Sequence, residues 1–106
     1  MKKSEIGKLV PKNKYKYKID YTNQFKKDVI KAKKSDCDLT LLDEAIKTLA
    51  KKGTLPKEYR PHKLSGNYAG YWEAHIKGDW LLVWLKRKES LTLILTNTGT
   101  HSEIFG

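Results

Sequence analysis

Residues 70–85 read Gly70-Tyr71-Trp72-Glu73-Ala74-His75-Ile76-Lys77-Gly78-Asp79-Trp80-Leu81-Leu82-Val83-Trp84-Leu85, and their pattern decides the fold. Tyr71, Glu73 and His75 alternate with Trp72, Ala74 and Ile76, the period of two that sends successive side chains to opposite faces of a strand. Lys77-Gly78-Asp79 supplies a turn. Trp80 to Leu85 is apolar at every position, as in a central strand covered on both faces. Lys86 to Ser90 reads as a charged turn, and Leu91 to Thr96 as the next strand. The region therefore predicts a three-stranded antiparallel meander.

Upstream, Tyr15, Tyr17, Ile19 and Tyr21 alternate with Lys16, Lys18, Asp20 and Thr22, which predicts a half-buried strand. The period then changes. Phe25, Val29 and Ala32 recur at helical spacing from Asn23, the expected N-cap, to about Lys34. After a polar connector, Leu39, Leu42, Ile46 and Leu49 stripe a second helix to about Lys52. Asp38 caps its start, Gly53 suits its left-handed end and Pro56 forbids continuation. The order β-α-α-β-β-β predicts a single α+β domain over residues 15–106. In it a two-helix hairpin packs on one face of a mostly antiparallel, four-stranded sheet. Residues 1–14 hold five lysines and Pro11, and read as a flexible basic arm.

The charge balance narrows the partners. With 22 Lys and Arg against 12 Asp and Glu, the net charge is +10, which attracts polyanions: nucleic acid, the ribosome, an acidic protein or an anionic membrane. Cys37 is the only cysteine, so no intrachain disulfide forms. No apolar run reaches membrane-spanning length and no signal-peptide pattern opens the chain. These features predict a cytoplasmic protein.

Glu73 and His75 project from one face of their strand, and Asp79 lies just past its end. His62 precedes the meander, and His101 follows the last strand after Gly99, which predicts an imidazole on a rigid sheet edge. One face can thus gather three imidazoles and one or two carboxylates. Four readings of that set stand side by side: acid–base cleavage of RNA, a metal site, a basic binding module without catalysis, and histidines with purely structural roles. Cleavage requires a base to take the ribose 2′-proton and an acid to protonate the leaving 5′-oxygen. Imidazole serves either role near neutrality, and lysine or arginine can offset phosphorane charge. The metal reading lacks an i,i+4 histidine pair or a CxxC.

Four blocks carry a resemblance: His62-Lys63-Leu64-Ser65-Gly66, Gly70-Tyr71-Trp72-Glu73-Ala74-His75-Ile76, Asp79-Trp80-Leu81-Leu82-Val83-Trp84, and Thr98-Gly99-Thr100-His101-Ser102-Glu103-Ile104-Phe105-Gly106. In this order and spacing, residues 15–106 resemble the RelE superfamily of bacterial toxins, most closely its YafQ branch. The resemblance implies a type II toxin: a ribosome-dependent endoribonuclease (mRNA interferase) that cleaves messenger RNA by acid–base chemistry with no metal and no cofactor. It implies catalytic roles for His101, His75, His62, Asp79 and Glu73, with His101 the general acid. Phe105, Lys63, Lys77 and Arg87 become the expected substrate contacts. The implied partners are the ribosome, messenger RNA and a cognate antitoxin that is acidic, partly disordered and DinJ- or RelB-like. Two departures stand out, since relatives commonly carry Arg where this chain has Trp72 and Asn97. A non-catalytic toxin on the same scaffold, like the gyrase-directed ParE relatives, and a basic RNA-binding module are the alternatives.

Overall fold

The computed structural model describes Leu9 and residues 15–106. Its elements are β1 (Lys18–Tyr21), α1 (Asn23–Lys34), α2 (Leu39–Lys52), β2 (His62–Lys63), β3 (Tyr71–Lys77), β4 (Trp80–Arg87), β5 (Thr92–Gly99) and α3 (His101–Phe105). Single 3-10 turns lie at Lys57–Tyr59 and Gly66–Tyr68. The sheet order is β1-β5-β4-β3-β2, with β1 parallel to β5 and the other pairs antiparallel.

The helices form where their caps and stripes place them. The Thr22 hydroxyl accepts the Phe25 N–H at 3.1 Å and so caps α1. Phe25, Val29 and Ala32 are buried, while Lys31, Lys33 and Lys34 sit in the last turn, where cations complement the helix dipole. Asp38 caps α2 by accepting the Thr40 N–H at 3.0 Å. Leu42, Ala45, Ile46, Leu49 and Ala50 form its buried face. Gly53 ends it at φ 76°, and a Cβ there would lie 2.5 Å from the Tyr17 ring. Glycine is thus required both by the left-handed backbone and by the ring packed on it.

Both helices pack on one face of the sheet, against Ala74, Trp80, Leu82, Trp84, Leu93 and Leu95. Across the sheet, Glu73 pairs with Val83 and His75 with Leu81. Paired residues share a face, so these four line the side away from the helices. Leu81 and Val83 are fully buried there too, which makes β4 the doubly covered strand its sequence predicts. Among the described residues, no helix is long and apolar enough to cross a membrane.

Several expectations need correction. The sheet has five strands, because His62 and Lys63 pair with Glu73 and Trp72 as a two-residue edge strand. The first strand begins at Lys18 rather than Tyr15, since the Tyr17 N–H is drawn to the Ala50 carbonyl at the end of α2, at 2.9 Å. The cap of α1 is Thr22, one residue before Asn23. The last strand runs on to Gly99, paired with Leu81, while Leu91 turns at φ 49° before it starts. Its end is no sheet edge: β5 is interior, between β4 and β1, and His101 opens a short helix. The basic arm expected at residues 1–14 lies outside the described residues except Leu9, which is 3% exposed and joins the core.

Candidate active site

Five of the nine expected site residues converge on the face away from the helices. Glu73 lies at its floor, 3% exposed. The His62 Nε2 stands 3.2 Å from Glu73 Oε2, and the His101 Nε2 stands 3.9 Å from the same oxygen. His101 Nδ1 and Asp79 Oδ1 are 2.8 Å apart. The His75 and His101 ring centroids are 6.2 Å apart.

Local structure fixes each side chain. β2 pairing sets His62 directly opposite Glu73. His101 is the first residue of α3, whose start is held by a capping box: Thr100 Oγ1 accepts the Glu103 N–H, and Glu103 Oε1 accepts the Thr100 N–H at 2.9 Å. The other Glu103 oxygen meets Lys31 Nζ at 2.9 Å, which ties this short helix to α1. The Thr100 hydrogen bond, then Lys31, holds the Glu103 carboxyl below its ordinary pKa.

The three imidazoles share one device. His62 Nδ1 faces the Arg60 carbonyl at 2.9 Å, and His75 Nδ1 faces the Gly78 carbonyl at 3.1 Å. A carbonyl only accepts, so in both rings Nδ1 carries the proton and Nε2 is left for chemistry. In His101 the Nδ1–H donates to Asp79, so Nε2 again faces the site. The Asp79 hydrogen bond raises the His101 pKa above the ordinary imidazole value, aided by the charges of Glu73 and Asp79 and opposed by partial desolvation.

The remaining expected residues divide. Phe105 joins the site, its ring 6.0 Å from that of His101. Lys63, Lys77 and Arg87 do not reach the imidazoles. Lys63 projects to the helix-side face, over the Trp72 ring. A register shift after His75 pairs Lys77 with Trp80, also on the helix side. There Lys77 adds to the Thr40 hydrogen bonds that lower the Asp38 pKa. Arg87 ends β4, about 13 Å along the strand from Val83. Of the two departures, Trp72 stacks on Trp84 on the helix side, with centroids 6.4 Å apart, whereas Asn97 pairs with Val83 on the site face. Sequence reading missed Tyr68, whose ring lies 4.9 Å from Phe105. The one signal for it was an aromatic set between Gly66 and Gly70.

His62 and His101 stay about half exposed, at 49% and 54%, above the buried Glu73, so the imidazoles remain reachable from solvent. A cavity of about 310 Å³ lies behind them, between α1 and α3, lined by Lys27, Lys31, Cys37 and Glu103 among others. Among the described residues, no group of three or more His, Cys, Asp or Glu side chains is arranged to hold a metal ion.

Comparison with known proteins agrees with this architecture. Residues 17–106 match the family described as "Bacterial toxin of type II toxin-antitoxin system, YafQ". The chain is 39% identical over 90 residues to the mRNA interferase toxin YafQ of Escherichia coli K12, covering 83% of this chain and 95% of that one. It superposes on a point mutant of E. coli YafQ with a TM-score of 0.78 at 33% identity, over 85% of this chain and 99% of the other. It superposes on YafQ in the E. coli DinJ–YafQ toxin–antitoxin complex with a TM-score of 0.77 at 34% identity, over 86% and 99%. With the match running from Tyr17 to Gly106 and taking in every imidazole of the site, the chain belongs to the YafQ family of type II toxin–antitoxin toxins.

Proposed function

We propose that this toxin is an mRNA interferase that cleaves messenger RNA on the ribosome by acid–base chemistry, with His101 as the general acid. The observation that carries the reading is the Asp79–His101 pair beside two further imidazoles whose Nδ1 atoms are both pinned. The 2′-oxygen bonds to phosphorus and the bond from phosphorus to the 5′-oxygen breaks. His75 takes the 2′-proton: its Nε2 has no partner among the described residues, whereas that of His62 faces Glu73. His101 gives its Nε2 proton to the departing 5′-oxygen. His62 and Glu73 hold the floor of the site in place.

The products are a 2′,3′-cyclic phosphate and a 5′-hydroxyl. Mapping the ends of a reporter message after incubation of the toxin with translating ribosomes is expected to find them. Ends with a 5′-phosphate, or an uncut message in toxin-arrested cells, would overturn the reading. The net charge of +10 supports an acidic antitoxin as the neutralising partner.

The pH dependence has a definite sign. Because the Asp79 contact raises the His101 pKa, the imidazolium persists to higher pH, and activity that needs it is lost as pH rises through that value. Asp79→Asn removes the raising charge, so the alkaline limb of the kcat/KM profile is expected to move to lower pH. A limb that stays in place would show that His101 does not titrate there.

A further inference from the structure

We infer that Tyr68, flanked by Phe105 and Tyr71, is a stacking platform for the nucleobase on the leaving-group side of the scissile phosphate. The inference rests on the ribonuclease reading and on His101 as its acid. Tyr68 is 37% exposed, one of three large apolar side chains so exposed among the described residues. Its hydroxyl makes no hydrogen bond to any described residue, so no polar contact explains its place.

The loop that carries Tyr68 is built to present it. The Tyr68 N–H bonds the Ser65 carbonyl at 3.1 Å, the Ala69 N–H bonds the Gly66 carbonyl at 3.2 Å, and the Leu64 N–H bonds the Tyr71 carbonyl at 2.8 Å. Gly66 adopts φ 61° with nothing within 4 Å of where a Cβ would lie. The glycine therefore serves the turn itself rather than close packing. Phe105 stands at 87° to the Tyr68 ring and Tyr71 at 77°, with centroids 4.9 and 5.9 Å away. Neither neighbour lies parallel to Tyr68, so no protein ring takes the stacked position on it.

The row begins at the acid. Phe105 lies 6.0 Å from His101, and Tyr68 lies beyond Phe105. The nucleotide whose 5′-oxygen His101 protonates is held at this end of the site, which brings its base to the aromatic row. Every base has a π-face, so such a platform fixes position without choosing among bases.

The test is a cycle of protein and substrate changes. Ribosome-bound messages are prepared with an intact or an abasic nucleotide on the leaving side of the cut. Tyr68→Ala on the intact message, and the wild type on the abasic message, are each expected to lose about 5- to 140-fold in kcat/KM. Tyr68→Ala on the abasic message is expected to lose little more than either change alone. Tyr68→Phe, which keeps the ring, is expected to recover most of what Tyr68→Ala loses. Losses that multiply, or that couple instead to the base on the other side of the phosphate, would overturn the platform while leaving the nuclease in place. A wild type that leaves the intact message uncut would overturn the ribonuclease reading, and the platform with it.

Discussion

His101→Ala is expected to slow message cleavage by about 10²–10⁴-fold, the usual worth of a positioned proton donor, and to free cells from growth arrest. The side chain is 54% exposed and contributes to no core contact. The start of α3 is held by Thr100 and Glu103, and the anchor to α1 by Lys31, none of which the substitution touches. The variant is therefore expected to melt like the wild type, so that loss of cutting reports chemistry rather than unfolding. Asp79 keeps its place on the turn but loses the imidazole it orients. Equal cutting by the folded variant would remove His101 from the mechanism.

The largest effect on stability is expected at Trp84. This ring is fully buried on the helix side of the central strand and stacks on Trp72. Trp84→Ala removes the bulkiest buried side chain, with an expected cost of about 3–5 kcal/mol. Small domains hold about 5–15 kcal/mol in total, so the melting temperature should fall by about 12 °C or more. Trp84→Phe makes a pointed comparison. The indole N–H is buried without a partner among the described residues. Removing a buried, unsatisfied donor recovers about 1–3 kcal/mol, which offsets much of the lost packing. Thermal melts that place the phenylalanine variant as low as the alanine one would refute this account of the site.

The sequence made the skeleton readable because its periods were long and unbroken. Twelve- and fourteen-residue helices carry several turns of apolar stripe, and the apolar run of β4 announces a strand covered on both faces. The pleat likewise put Glu73 and His75 on one face. What stayed hidden depended on short or irregular features. A two-residue strand at His62 shows no alternation, so its pairing with Glu73 could not be seen. Strict alternation along β3 would set Lys77 beside His75, but the register shift between them sends Lys77 to the helix side. The interior position of β5 arises from a parallel pairing with β1, a contact between residues more than seventy positions apart that no local pattern encodes. For the cations, charge alone says nothing about which face a side chain takes, and Lys63 illustrates this.

That parallel pairing has a consequence for how the toxin behaves as an object. Lys18 to Tyr21 zip onto Thr92 to Leu95, the strand that leads directly into His101, while α1 grips the terminal helix through Lys31 and Glu103. The earliest described strand thereby props up the last imidazole, and His62 and His75 come from segments between. A fragment from Arg60 onward would carry all three imidazoles yet lack the strand that supports the last of them. The site is accordingly a property of the whole fold: pulling loose β1 or α3 is expected to disarm it even with every imidazole still in the chain.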